Sequence, residues 1–448
     1  MVTQKRTAAE AGWHVSRYNL YLPLKEEKKM AIVNLYKANC AVYSSLEYYL
    51  LTVLDELDEN HPVIGRFAKR GIIANFDELA ALQAGTRLSH SEGVSLTICP
   101  TMDCNFDCPY CFENHVKGFM SEEVQDGVVA LAEKMIAMAK GKYFYVTWFG
   151  GEPLLAPEII RSLSRRLISL ARENHLDYKA SIITNGYLLN EKNTLMLKEA
   201  RVSSIQVTLD GMEEVHNQTR CLRNGGGTFK QITENLAKLD GFFSVSVRHN
   251  VHQDNIKEID KLSAFVNELD GLSQAKLSYH AAVVSDNEAS KGRGSNVGLL
   301  CIEDQGKVVL QRDAQRFAGG GGQFCGAHNM FNIGIDAAGN LQKCWEDMGN
   351  EDHGFGKIGE WDPSEPFATA CKLDNLTKYL NTLQPGDDTE CRECIWLPAC
   401  KGQCPHKRLF SKKNCIEYKD HPDEYVRALL ERMKEEGRHE KTNANGSI

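Results

Sequence analysis

Between residues 94 and 284, short runs rich in β-branched and aromatic residues recur, and segments with helical periodicity fill the gaps between them. The runs are VSLTIC (94–99), YFYVTWF (143–149), YKASIIT (178–184), SIQVTL (204–209), FSVSVRHN (243–250) and KLSYHAAV (276–283). Ser121 precedes a segment with Val124, Val128, Leu131 and Met135 on one helical face, and Asn255 opens one carrying Ile256, Ile259, Leu262, Phe265 and Leu269. Strand and helix alternating at roughly 25–50-residue spacing predict an α/β fold, a parallel sheet or barrel. Ligands on such folds gather beyond the C-terminal ends of the strands, where the connecting loops meet.

Flanking segments read differently. YNLYLPL (18–24) and AIVNLY (31–36) are strand-like, and Ser44 with Glu47 forms a capping box for a helix with Leu46, Leu50, Val53, Leu54 and Leu57 on one face. RFAKRGIIANFDEL (66–79) reads as a helix stopped near Gly71, a short strand and a turn. Together these predict a small α+β, winged-helix-like module over 1–92, ahead of a barrel over 93–284. A linker over 285–323, with SKGRGS and GGGG, leads to a cysteine-rich domain over 324–420. The expected end, 421–448, is a helix over 423–436 with Val426, Leu429, Leu430 and Met433 on one face, stopping at Gly437 before a polar tail.

The chain opens without the apolar core of a secretory signal, and nowhere do 18 apolar residues run together. A cytoplasmic location is the expectation, with thiols kept reduced. The net charge of −8, from 60 acidic and 52 basic residues, gives no electrostatic footprint for nucleic acid or an anionic membrane. Fifteen cysteines are then too many for structural bridges. Cys40, Cys99 and Cys221 read as small buried hydrophobes, but the clustered ones need another account.

The densest cluster is PTMDCNFDCPYCFEN (100–114), with Cys104, Cys108 and Cys111 spaced C-x₃-C-x₂-C just after the first barrel strand. Structural zinc wants four ligands, and only His115 offers a fourth nearby. Three thiolates without a fourth suit a [4Fe–4S] cluster with one iron open to an exogenous ligand. This spacing after a barrel's first strand resembles the radical S-adenosylmethionine (SAM) superfamily. The resemblance implies a partial (β/α)6 TIM-like barrel whose cluster binds SAM and cleaves it to a 5′-deoxyadenosyl radical, with Tyr110 against the adenine. It also implies that the loop Gly150, Gly151, Glu152 and Pro153 contacts the SAM amino group through carbonyls and carboxylate. Asn185 of TNG and Asp210 of LDG are implied polar contacts, and Arg220 of HNQTR a carboxylate partner; NVHQDN (250–255) resembles another SAM-facing segment. Each of these residues, taken alone, also fits a turn or a helix cap.

Farther on, Cys325 is followed by 13 residues, Gly339, four residues and Cys344; then come Cys391, Cys394, Cys400 and Cys404, spaced C-x₂-C-x₅-C-x₃-C, and Cys415. The pairs alone would fit a zinc ribbon. The full order resembles the SPASM domain, which appends two auxiliary [4Fe–4S] clusters to a radical SAM barrel, making three in all. The resemblance implies that Cys391, Cys394, Cys400 and Cys415 hold the distal cluster, and Cys325, Cys344 and Cys404 the one nearer the active site. For the latter's fourth ligand Cys301, Cys371 and a substrate thiol stay open.

SPASM enzymes characteristically act on peptides or proteins. The 1–92 module resembles the leader-binding recognition element of ribosomal-peptide maturases, which implies a precursor peptide as partner and a flavodoxin or ferredoxin as reductant. The expected activity is oxidative cross-linking, chiefly of cysteine sulfur to carbon as in thioether-forming sactipeptide and ranthipeptide maturases, with a C–C or C–O cross-link next. The alternative is sulfatase-maturase-like oxidation of cysteine or serine to formylglycine. That family carries an aspartate directly after the cysteine matching Cys344; here Trp345 stands there, followed by Glu346 and Asp347. A non-catalytic iron–sulfur electron-transfer protein would explain the thiolates but not the SAM-facing segments.

Overall fold

The computed structural model describes residues 6–89, 93–113, 115–139, 141–252, 254–283, 325–382, 388–410 and 415–435. The expected linker with Cys301, Gly437 and the tail lie outside the described residues. The chain divides into two compact units, one of Met1–Leu88, Leu300–Cys325 and Thr382–Ile448, the other of Ser89–Leu299 and Gly326–Asn381.

In the first unit β1 (His14–Val15) pairs with β5 (Ile73–Ala74), and β2 (Asn19–Leu24), β3 (Lys29–Asn34) and β4 (Asn39–Ser44) form an antiparallel meander. α1 (Ser45–Thr52) starts at the expected capping box, in which Glu47 N donates to Ser44 Oγ at 3.3 Å and Ser44 N to Glu47 Oε2 at 3.0 Å. The expected apolar face is realised in part: Leu54 is buried and Leu50 and Leu57 pack against the same core, but α1 stops after two turns, a 3₁₀ turn follows, and Leu46 is left 67% exposed. α2 (Pro62–Arg70) stops at Gly71 as expected, and α3 (Glu78–Ser89) leads out of the module.

The second unit carries six strands in sequence order, all parallel: β6 (Gly93–Ile98), β7 (Tyr143–Trp148), β8 (Asp177–Thr184), β9 (Val202–Thr208), β10 (Ser244–Val251) and β11 (Lys276–Val283). Between them run α4 (Glu122–Met138), α5 (Pro157–Glu173), α6 (Glu191–Glu199), α7 (Glu213–Thr219), α8 (Phe229–Ala237) and α9 (Ile259–Leu272). Val94, Leu96, Ile98, Phe144, Val146 and Ile182 pack against the helices. Because side chains alternate along a strand, the opposite face carries Thr147, Ser181, Ser246, Arg248 and their neighbours. These bond one another: Thr147 to Ser181 at 3.2 Å, Ser246 to His280 at 2.9 Å and Arg248 Nε to Asn250 at 2.7 Å. An apolar outer face and a polar inner one suit a barrel that holds a polar ligand.

The sheet is open. Beside β6 lies β12 (Asn332–Ile335), parallel to it, then β13 (Asn340–Gln342) and β14 (Gly356–Lys357), both antiparallel. Gly339, the glycine between Cys325 and Cys344, turns this hairpin at φ +84° while Asp336 Oδ1 accepts from Ala338 N and Asn340 N. α10 (Leu373–Asn381) buries Leu376 and Tyr379.

The remaining helices, α11 (Thr389–Glu393), α12 (Leu397–Cys400), α13 (Pro405–Phe410) and α14 (Pro422–Glu435), belong to the first unit. Its meander has one face on Leu51, Val63, Ile64 and Phe67, and the other, with Leu20, Leu22, Ala31 and Val33, on Trp396, Tyr425, Val426 and Leu429. The N-terminal sheet and the cysteine-rich C-terminal segment thus share one core. No helix among the described residues is long and apolar enough to cross a membrane.

Candidate functional site

The three-cysteine loop leaves β6 and is pinned by backbone rather than by its thiols. Asp107 N donates to Cys221 O at 3.1 Å, Arg223 N to Asn105 O at 3.1 Å, and Arg223 pairs with Asp103 at 2.6 Å. Within the loop, Phe106 N donates to Cys104 Sγ at 3.4 Å and Cys111 N to Cys108 O at 3.1 Å. Burial pushes the Cys104 and Cys111 thiols up to about 12 and raises that of Cys108, whose charge in turn acts on both neighbours. His115, the one foreseen fourth donor, has Nε2 3.5 Å from Cys111 Sγ.

The GGEP loop after β7 lies directly on this backbone. A Cβ on Gly150 would sit 2.3 Å from Thr101 O, and one on Gly151 2.3 Å from Asp103 O, so only glycine permits the approach. Glu152 N donates to Asp103 O at 2.8 Å. The Glu152 carboxylate is fully buried and accepts from Leu154 N at 3.0 Å, Thr184 Oγ1 at 2.7 Å and Asn185 N at 2.7 Å. Burial raises its pKa, and these donors with Arg220 oppose the rise. It clasps the loops after β7 and β8, while Pro153 opens a buried 3₁₀ turn. Gly151→Ala is expected to push the cysteine loop off its support: iron retained after reconstitution falls and the thermal midpoint drops, read by iron analysis and calorimetry.

Asn185 reaches the cysteine loop itself, with Nδ2 donating to Asn105 Oδ1 at 2.7 Å and lying 3.9 Å from Cys104 Sγ. Asp210, beyond β9, is fully buried; its Oδ2 accepts from the Tyr110 hydroxyl and from Thr219 Oγ1 at 3.0 Å. Arg220 Nη1 donates to the same Tyr110 hydroxyl at 2.9 Å, and its guanidinium lies 5.8 Å from the Phe106 ring centroid. Asp210 Oδ1 and Arg220 Nε are both buried without a hydrogen-bond partner. A buried acceptor on an anion and a buried donor on a cation, both unsatisfied, fit a zwitterionic amino-acid head group such as that of SAM. Tyr110→Phe removes the hydroxyl that joins the two charges, and SAM Kd is expected to rise ~10-fold, one charge-assisted hydrogen bond's worth, by calorimetric titration.

Two positioning residues escaped the sequence reading although their segments were noted. His216 Nδ1 accepts from Asp210 N at 3.2 Å and its Nε2 meets Thr228 Oγ1 at 3.0 Å; burial pushes it down to about 3, so the ring is neutral. Asn255 Nδ2 donates to Asp210 O at 2.8 Å and Asn250 O at 2.9 Å. Only a map of which loops meet would have identified them.

In the first unit Cys391, Cys394, Cys400 and Cys415 line one cavity, with Trp396 and Lys419 beside them. Asp388 caps α11 by accepting from Cys391 N at 3.1 Å. The Cys400 thiol is pushed up to about 11 by burial and by the nearby Cys391, Cys394 and Cys415. Four soft donors around one cavity fit an iron–sulfur cluster. Cys344 belongs to the barrel unit, and Cys325 and Cys404 to the other. Cys371 is exposed; Cys99 is fully buried, and Cys40 and Cys221 are partly so.

Cys344 follows β13, and the residue after it turns to the barrel. Trp345 Nε1 donates to Thr97 Oγ1 at 3.1 Å and its ring lies 5.7 Å from that of Phe149, leaving the side chain 45% exposed. Asp347 is fully buried and accepts from the Tyr379 hydroxyl and from His353 Nδ1 at 2.7 Å.

Residues 98–266, from the end of β6 into α9, match the radical SAM superfamily. The chain carries a radical SAM domain. Enzymes of this superfamily use a [4Fe–4S] cluster and SAM. Among curated relatives, the cysteine-type anaerobic sulfatase-maturating enzyme of Clostridium novyi is 23% identical over 353 residues, covering 70% of this chain and 88% of that protein. The sporulation killing factor maturation protein SkfB of Bacillus subtilis is 24% identical over 167 residues, 37% of this chain and 38% of its own. A solved structure, native anSMEcpe with bound AdoMet and Cp18Cys peptide, shares the fold at TM-score 0.55 and 20% identity, covering 78% of this chain and 99% of that one. The barrel unit thus carries a radical SAM domain, and the chain shares the α/β fold of that solved structure.

Proposed function

We propose that this enzyme is a cytoplasmic peptide maturase that cross-links a ribosomally made precursor peptide, joining a cysteine sulfur to carbon as a thioether. The observation that carries the choice is Trp345. A formylglycine-forming relative is expected to place a carboxylate directly after the cysteine matching Cys344. Here that position holds an indole, which donates to Thr97 and has no lone pair with which to take a proton. Asp347, the carboxylate nearest to compensating, is buried and engaged by Tyr379 and His353.

Bound at Cys104, Cys108 and Cys111, a [4Fe–4S] cluster with SAM supplies a hydrogen-abstracting 5′-deoxyadenosyl radical. The chain's own part is to hold these groups: Glu152 fixes the loops, and Asp210 and Arg220 receive the SAM head group. Cys391, Cys394, Cys400 and Cys415, which line one cavity, would hold an auxiliary cluster. For the leader, β2 and β4 each pair on one side only among the described residues, and an exposed strand edge accepts an extended peptide as an added strand. In the net reaction one S–H bond, one C–H bond and the bond from the SAM sulfur to its deoxyadenosyl carbon would break, one S–C and one C–H bond would form, and methionine would leave with 5′-deoxyadenosine. One hydrogen atom would pass to the deoxyadenosyl group; the other would leave as a proton, and its electron would replace the one that a flavodoxin- or ferredoxin-class reductant supplies for SAM cleavage.

Formylglycine formation is the second reading, favoured by the sulfatase-maturating relatives that match most of the chain. The test is to incubate the reconstituted full chain, SAM and reductant with two peptides: a short cysteine-containing peptide encoded beside its gene, and a sulfatase-derived cysteine peptide. Loss of two hydrogens from the first supports the proposal; replacement of sulfur by oxygen with loss of two hydrogens in the second, with the first unchanged, overturns it.

A further inference from the structure

Cations stand at both ends of the four-cysteine set. Arg408, on α13, has Nη1 3.9 Å from Cys391 Sγ and 3.4 Å from Gly402 O, and Nη2 3.9 Å from Asp388 Oδ2. Lys419 Nζ donates to Cys415 Sγ at 3.8 Å. The first and last cysteines of the cavity therefore each face a fixed positive charge that no cysteine-spacing argument foresees.

Adding an electron to a cluster already held by four thiolates concentrates negative charge, and hydrogen bonds to the sulfurs are a main lever on its potential. Resting on the reading of Cys391, Cys394, Cys400 and Cys415 as cluster ligands, we propose that Arg408 and Lys419 are positioning residues that raise the reduction potential of that centre, each through the ligand sulfur it faces. The two differ in strength. The Arg408 side chain is only 14% exposed, so its charge is weakly screened; Lys419 is exposed and acts through more solvent. Carboxylates oppose them. Asp388 both caps α11 and holds Arg408, and Glu390 lines the same cavity near Lys419. The cations offset these acids, and removing either cation leaves the acids to act on the centre. An oxidation that must pass an electron out of the peptide gains from an acceptor tuned upward in this way.

The experiment is an EPR-monitored potentiometric titration of the anaerobic full-length holoenzyme in wild type, Arg408→Met, Lys419→Met and the conservative Arg408→Lys and Lys419→Arg. Cys415→Ala identifies which couple belongs to this site. In Arg408→Met that couple alone is expected to move to lower potential by about 59 mV, a tenfold fall in the reduced-to-oxidised ratio at fixed potential. Lys419→Met shifts it less, and the conservative variants stay near wild type. Unchanged couples in both methionine variants, with iron content retained, overturn the proposal. If Arg408→Met loses iron, the exposed Lys419 decides alone: a downward shift in Lys419→Met supports the proposal and none overturns it. A Cys415→Ala protein that keeps every couple and the full iron content instead overturns the ligand reading beneath it.

Discussion

Replacing any one of Cys104, Cys108 and Cys111 by alanine is expected to bring release of 5′-deoxyadenosine down to the level of a protein-free control while far-UV circular dichroism stays unchanged. The reason lies in how the loop is held. Its backbone is anchored through Asp107 N to Cys221 O, Glu152 N to Asp103 O at 2.8 Å and the Arg223–Asp103 pair, none of which uses a thiol. Each alanine therefore subtracts a donor from a loop that keeps its course, and the loss falls on iron binding and SAM cleavage together. Iron analysis beside the activity assay checks this. A variant that keeps wild-type turnover would remove that cysteine from the ligand set.

Glu152→Ala is expected to act on the fold as strongly as the cysteine variants act on chemistry. The carboxylate accepts from the Thr184 hydroxyl, from Asn185 N–H and from Leu154 N–H. Deleting it strands three buried donors, at 1–3 kcal/mol each, less the desolvation of the carboxylate that is relieved. The net is a loss on the order of 3–5 kcal/mol in unfolding free energy. Glu152→Gln keeps the shape and one acceptor but turns an amide N–H₂ toward a donor, so its loss is smaller. Denaturant titration followed by tryptophan fluorescence measures both. Equal stability of wild type and Glu152→Ala would show that the loops after β7 and β8 hold together without the clasp.

The barrel strands were legible because each carries an apolar outer face that packs on helices; Val94, Leu96 and Ile98 are an example. β4 and β12 were not. NCAVYS and NIGI are short and weakly patterned, and long-range pairing fixes them, with β3 for the one and with β6 for the other. The joint core of Leu20, Leu22 and Val33 with Trp396, Tyr425 and Val426 joins chain ends far apart in sequence, which local periodicity cannot register.

The site shows the same divide. Cysteine spacing is a local signal and singled out the loop after β6 and the four cysteines that line one cavity. Glu152 was read as a SAM contact, and the structure shows its carboxylate engaged by three donors of the neighbouring loops. Tyr110 was read as an adenine neighbour, and its hydroxyl joins Asp210 to Arg220. Those partnerships depend on which loops meet at the strand ends, information that only the assembled sheet holds.

The most direct test of the central claim follows both products of one reaction. The anaerobically reconstituted full chain, with SAM, dithionite and a cysteine-containing peptide that it retains from a cell extract, is sampled over time for 5′-deoxyadenosine and for peptide mass. The account predicts 5′-deoxyadenosine rising together with a peptide lighter by two hydrogens that no longer reacts with a thiol reagent. Formation of 5′-deoxyadenosine with a peptide that has exchanged its sulfur for oxygen and lost two hydrogens, or no reductant-dependent 5′-deoxyadenosine from fully reconstituted protein, would contradict it.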